Sequence, residues 1–187
     1  MLRLKEELIE NPIVAAIRNN EDLEKAVLSR AAIVFVLYGD ILNISHICDI
    51  LRKNSKFIFI HVDLIEGLRG DAAGIKYIKE YARPDGIIST KSSNIKYANQ
   101  LDLYTIQRVF ILDSLSLKTG IKNIHETNPD AVEVLPGIAS KIISVFEKAI
   151  KVPIIAGGLI KEKKDVMDSL STGAIAISTT THKLWDL

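Results

Sequence analysis

Apolar, β-branched runs punctuate the chain at near-regular intervals: 13–17, 32–37, 57–62, 86–88, 108–112, 131–135, 152–156 and 174–177. Most show no polar alternation. A strand with one wet face alternates, whereas a strand covered on both faces of a parallel sheet reads as continuous apolar sequence, so eight buried strands are predicted. Between them, apolar residues recur at helical spacing with charges on the remaining face: Leu23, Ala26 and Val27; Ile75, Ile78 and Tyr81; Ile142, Ile143, Phe146 and Ile150; Val166, Met167 and Leu170. Asn20 before Glu21 and Asp22, and Ser114 after the fifth run, supply helix-start signals, because short polar side chains cap free amides and carboxylates suit the positive end of the helix dipole.

Strict alternation of strand and helix implies parallel strands joined by right-handed crossovers, and eight such units close a barrel. The predicted fold is a compact α/β (β/α)8 TIM barrel; an open doubly wound sheet is the competing arrangement. At roughly 23 residues per unit, well below the barrel norm, loops must be minimal and some helices short. Neither a linker nor a low-complexity tract interrupts the pattern, so residues 1–187 are read as a single domain.

Composition narrows the function. The chain is 48% hydrophobic, ample for a core, and its 24 Lys and Arg against 23 Asp and Glu leave a net charge of +1. No global field draws a polyanion, and a nucleic-acid site would have to be a local patch. The N-terminal stretch mixes charge into every turn and lacks a signal-peptide core, and no run approaches the roughly 20 apolar residues of a membrane span, so a cytoplasmic protein with no membrane partner is expected. Cys48 is the lone cysteine and falls on a helix face with Ile44, Ile47 and Leu51, which points to packing. The histidines do not cluster: His46 and His125 fall on helices, His182 near the C-terminus, and His61 in the third strand two residues before Asp63. No metal site and no cofactor are expected.

In a barrel, ligands bind at the C-terminal ends of the strands. Ala156-Gly157-Gly158-Leu159 follows the seventh strand, and Ser178-Thr179-Thr180 follows the eighth. Paired glycines let backbone amides approach an oxyanion, and hydroxyls beside a helix N-terminus complete a cradle, so Gly157, Gly158, Ser178 and Thr179 are the candidate phosphate-binding residues. Asp63, Glu66, Asp113 and Glu133 bring carboxylates to the same mouth, able to bind hydroxyls, hold a metal, or serve as acid and base. Glu133 lies between Val132 and Val134, where an inward carboxylate must find a partner; Lys91, just past the fourth strand, can be that partner or can meet the phosphate. Polar neighbours Ser89, Thr90 and Ser92 argue against a Schiff-base role for Lys91.

Several segments resemble the glycerol-3-phosphate-responsive antiterminator family: Asn11 to Arg18, His61-Val62-Asp63-Leu64-Ile65-Glu66-Gly67-Leu68, Gly86 to Lys91, Arg108 to Ser114, Glu133 to Gly137, Pro153 to Ile160, and Ala174 to Thr179. The resemblance covers nearly the whole chain, with HVDLIEGL its most specific part. It implies a non-enzymatic regulator without catalytic residues, which binds glycerol 3-phosphate and then acts on the leader mRNA of glycerol-utilisation operons to prevent premature termination. It further implies that Asp63, Glu66 and Glu133, with Lys91 and Arg18, hold the polyol end. Basic residues available to RNA phosphates are Arg52, Lys53 and Lys56, and Lys141, Lys148, Lys151, Lys161, Lys163 and Lys164. Because one protomer offers only scattered lysines, a homo-oligomer is expected. The alternative is a small TIM-barrel enzyme acting on a phosphorylated metabolite, which turnover would distinguish.

Overall fold

The computed structural model describes residues 2–187. Eight parallel strands pair in sequence order and the last closes on the first: β1 Ile13–Ile17, β2 Ile33–Val36, β3 Phe57–His61, β4 Gly86–Ser89, β5 Tyr104–Phe110, β6 Ala131–Leu135, β7 Ile154–Gly157 and β8 Ala176–Thr179. Closure excludes the open doubly wound sheet. The helices are α1 Leu2–Glu10 before the first strand, α2 Asn20–Leu28, α3 Ile44–Lys53, α4 Ala72–Tyr77, α5 Ser92–Asn99, α6 Ser114–Thr127, α7 Ser140–Ala149 and α8 Lys163–Ser171. After β8 only a 3₁₀ turn, His182–Leu184, remains, and Trp185 behind it is buried with its indole N–H donating to the Thr179 carbonyl at 2.8 Å. None of these helices is long and apolar enough to cross a membrane.

The missing polar alternation has its cause in two cores. One lies inside the barrel and includes Val14, Ile33, Phe35, Phe59, Ile88, Ile106 and Ile155; the other lies between barrel and helices and includes Val34, Ile58, Ile60, Val132 and Phe146. Most strand residues therefore meet apolar neighbours on whichever side they point. Leu4 and Leu8 of α1 are fully buried against the inner core. Charged on one side and apolar on the other, α1 belongs to the barrel floor.

Strand β5 begins four residues before its apolar run because Thr105 and Gln107 are polar yet buried. The Thr105 hydroxyl donates to Asn99 Oδ1 at 2.9 Å, and the Thr127 hydroxyl donates to Gln107 Oε1 at 2.5 Å, which removes the cost of burying them. Helix α2 is capped one residue earlier than the sequence signal, by Asn19, whose side chain accepts from the Asp22 amide. Asp113 likewise caps α6 in a capping box with Ser116. Tyr81 and Met167, read as core positions, lie at the surface, Tyr81 stacked on Tyr77.

Candidate functional site at the barrel mouth

Register decides what faces the mouth. Arg108 on β5 is the cross-strand neighbour of Glu133 on β6, and Gly157 on β7 is the neighbour of Ser178 on β8. All are buried, and the polar groups meet one another: Arg108 Nε donates to Glu133 Oε2 at 2.5 Å, and the Ser178 hydroxyl donates to Glu133 Oε1. The buried carboxylate on β6 thus finds its partner in Arg108, not in Lys91. Arg108 has no role in the sequence expectations, yet the signal is present in the chain, since an arginine and a glutamate inside two consecutive apolar strands must neutralise each other.

Arg108, Glu133 and Ser178 floor a cavity of 270 Å³ that is also lined by Ala16, Leu37, Leu135, the loop Gly158–Lys161, and Thr179–Thr181. Small-molecule sites usually run from about 300 to 1,000 Å³, so this one suits a small metabolite. Its walls carry free donors. Gly158 and Leu159 both have positive φ, 80° and 63°, and their amides, with that of Thr180, donate to no protein acceptor among the described residues. The Thr180 hydroxyl and the two terminal nitrogens of Arg108 are likewise without a protein partner there. Unengaged donors on several sides of a concave site are the arrangement an oxyanion needs.

The four candidate phosphate residues play different parts in this geometry. Gly158 opens its amide to the cavity. Gly157 makes room: a Cβ there would stand 2.5 Å from Glu133 Oε1 and 2.6 Å from Ser178 Oγ, so the glycine admits the hydrogen bond between those two side chains. Ser178 donates to Glu133. Thr179 points its hydroxyl to the Ile160 carbonyl at 2.8 Å and accepts from the Thr181 amide, which ties the β7 and β8 loops together. The α8 N-terminus is closed by its own carboxylates, because Asp165 accepts from the Lys161 and Glu162 amides and Glu162 completes a capping box.

Of the candidate polyol residues, Glu133 lines the cavity and the others do not. Asp63 lies at the β3–β4 side, where it accepts from Ser89 Oγ, the Thr90 amide and hydroxyl, and Asn94 Nδ2 at 2.7–3.1 Å. Lys91 Nζ stands 4.0 Å from the same carboxylate. Glu66 is exposed, its backbone bridging to the 39–41 segment of the β2 loop. Arg18 leans back on α2, its Nε 3.9 Å from Asp22, a buried carboxylate that also pairs with His182 at 2.7 Å. His61 faces the barrel interior, buried, with Nδ1 4.0 Å from Asp63 and without a hydrogen-bond partner. Burial first, then the Arg108 charge, push its pKa down to about 4, so the ring is neutral near pH 7. Among the described residues, no group of three or more His, Cys, Asp or Glu is placed to hold a metal ion.

The comparisons with known proteins agree with this frame. The family model described as glycerol-3-phosphate responsive antiterminator matches residues 13–185. The uncharacterized protein YgcP of Escherichia coli strain K12 is 38% identical over 180 residues, 96% of this chain and 94% of that protein. The glycerol uptake operon antiterminator regulatory protein of Listeria monocytogenes superposes with a TM-score of 0.90 at 32% identity, covering 92% of this chain and 94% of that one. A glycerol uptake operon antiterminator-related protein of Thermotoga maritima gives a TM-score of 0.84, also at 32% identity, covering 94% and 98%. With a family match over almost its full length and a barrel that superposes on two antiterminator proteins, the chain belongs to the glycerol-3-phosphate responsive antiterminator family.

Proposed function

We propose that the chain is a glycerol 3-phosphate-responsive antiterminator: it binds that ligand at the barrel mouth without turning it over, and in the bound state holds the leader mRNA of glycerol-utilisation operons. The observation that carries this reading is the balance of the cavity. Among the described residues its one carboxylate, Glu133, already has a partner on each oxygen, while amides, a hydroxyl and a guanidinium fork stand unengaged. A site with spare donors selects an anion. The phosphate lies against the Gly158–Leu159 and Thr180 amides, framed by Gly157, Ser178 and Thr179. Arg18, Asp63, Glu66 and Lys91 make no direct contact with the ligand in this reading.

RNA binding rests on family membership and on surface lysines such as Lys141, Lys161, Lys163 and Lys164, all exposed. A net charge of +1 is too small for one protomer to hold a polyanion by its overall field, so protomers pair to present a doubled patch. The test has two arms. Calorimetric titration with glycerol 3-phosphate, glycerol and inorganic phosphate should rank the phosphorylated polyol first, and Gly158→Val, which sets a branched side chain at a φ of 80° against Leu135, should abolish binding in a folded protein. Leader RNA with a terminator-like inverted repeat should then bind in a salt-dependent way only when the ligand is present; RNA affinity indifferent to the ligand would refute the regulatory step.

A further inference from the structure

Among the described residues, Arg108 is the single buried cation that lines the mouth cavity, and its surroundings are arranged to present it. The side chain is 8% exposed. A buried guanidinium carries five donors, and here only Nε is used, on Glu133. The remaining fork, four N–H groups on the two terminal nitrogens, has no acceptor among the described residues although it borders the cavity. The two nitrogens open on the cavity and are not sealed from solvent, so an arriving anion replaces water there with a charge-assisted partner.

The neighbours explain how the fork is held. Glu133 takes Nε, the nitrogen nearest the backbone, which fixes the guanidinium plane and leaves its far edge free. Ser178 donates to the other Glu133 oxygen and so fixes the carboxylate in turn. Gly157 leaves the space in which that second hydrogen bond forms. Three strands, β6, β7 and β8, therefore contribute to the aim of one side chain from β5. Lys161, the other cation at the cavity, is an exposed point charge on a loop and has no such constraint.

We infer that Arg108 is the residue that reads the ligand's phosphate, bidentate through its terminal nitrogens, and that Glu133 and Ser178 are positioning residues that act through it. The inference rests on the proposed glycerol 3-phosphate site and deepens it: the class of ligand is a small molecule bearing a dianionic, forked oxyanion, and the polyol end supplies selectivity only after that group is seated. It departs from the expectation that Glu133 is itself the polyol ligand.

The experiment is calorimetry on the full chain with glycerol 3-phosphate and with inorganic phosphate, for wild type, Arg108→Lys, Arg108→Gln, Glu133→Gln and the Arg108→Gln/Glu133→Gln pair. A lysine keeps the charge and loses the fork, so Arg108→Lys should weaken both ligands by about tenfold or more, given what a charge-assisted hydrogen bond contributes. Arg108→Gln alone leaves Glu133 buried without its cation and can fail to fold; the double variant removes both charges and keeps the test available. A positioning role predicts that Glu133→Gln lowers affinity in the wild-type background and has no further effect once Arg108 is gone, an interaction that a merely structural role does not produce.

A second readout comes from His61, which faces Arg108 on β5 and Asp63 at the end of its own strand, the latter near Lys91. An anion seated on Arg108 offsets part of the charge that depresses His61, so the ring's NMR titration should move to higher pH when ligand is bound. Loss of glycerol 3-phosphate affinity with inorganic phosphate unaffected would place Arg108 on the polyol end and overturn the inference. So would Arg108→Lys binding both ligands within about twofold of wild type, well inside what loss of a charged hydrogen bond costs. A wild-type protein that binds neither ligand overturns this inference and the proposed function together.

Discussion

Two regions of the same barrel rim hold acidic side chains that are both fully engaged but by partners in opposite states. At the ends of β3 and β4, Asp63 is ringed by Ser89, Thr90 and Asn94, and its oxygens are saturated by groups that belong to the fold. Across the mouth, Glu133 is also fully engaged, but its partners Arg108 and Ser178 border an open cavity, and Arg108 has donors to spare. The first cluster closes on itself; the second ends in an unanswered charge. A carboxylate at a barrel mouth is therefore no evidence for a ligand. What marks the site is the sign and number of the polar groups left over after the protein has satisfied its own, and here the remainder is donors on the β5–β8 side.

The sharpest way to break this comparison is to remove Asp63. Asp63→Ala strands the Thr90 amide, two hydroxyls and the Asn94 amide, so a loss of about 3–4 kcal/mol is expected from part-buried donors left without their acceptor. Urea unfolding measures it. Glycerol 3-phosphate affinity of the protein that remains folded should stay within about twofold of wild type, since no ligand contact is lost. A large drop in affinity with little change in stability would exchange the roles of the two regions.

Acid should distinguish the regions next. His61, between them, is buried and neutral, with its pKa pushed down to about 4 from an ordinary 6.5. Below pH 6.5 the unfolded chain binds a proton that the folded chain refuses, so stability present at neutral pH declines as pH falls and the contribution is gone below about 4; the full window corresponds to roughly 3 kcal/mol. Denaturation midpoints measured from pH 7 to 4 should fall more steeply for wild type than for His61→Gln, which cannot titrate. Equal slopes would mean that burial and the Arg108 charge do not depress the folded ring's pKa.

Much of this was legible in the chain. Eight largely apolar runs and the helices between them point to the closed barrel, because a strand covered on both sides cannot disguise its composition. The boundaries failed where polar residues are buried in partnership: Thr105 and Gln107 hid the first half of β5, since a single sequence does not show that Asn99 and Thr127 will meet them. The site was half legible for the same reason. Gly158 and the β8 hydroxyl segment mark the cavity from sequence, as does the oddity of Glu133. The pairing of Glu133 with Arg108 is a matter of register between strands 25 positions apart, and the saturation of Asp63 depends on Asn94, 31 positions away; neither is a local property.

The smallest expected effect tests whether the cavity's wall is strained for the ligand's sake. Leu159 holds a φ of 63° with its side chain 62% exposed, a conformation that costs an L-residue roughly 1–2 kcal/mol and that little burial offsets. The conformation follows directly on Gly158 at 80°, and together they leave two successive amides without a protein acceptor at the cavity edge. Leu159→Gly removes the side chain's objection to that backbone, and the greater freedom of glycine in the unfolded chain takes back part of the gain, so a net stabilisation of about 0.5–1 kcal/mol is expected with ligand affinity unchanged. Gly158→Ala should act in the reverse direction, because its Cβ would stand 3.2 Å from Leu135 at a φ that alanine resists. Thermal melts with and without glycerol 3-phosphate read both at once. If Leu159→Gly instead weakens binding while stabilising the fold, the leucine side chain itself closes over the ligand, and the wall is part of the recognition surface as well as its frame.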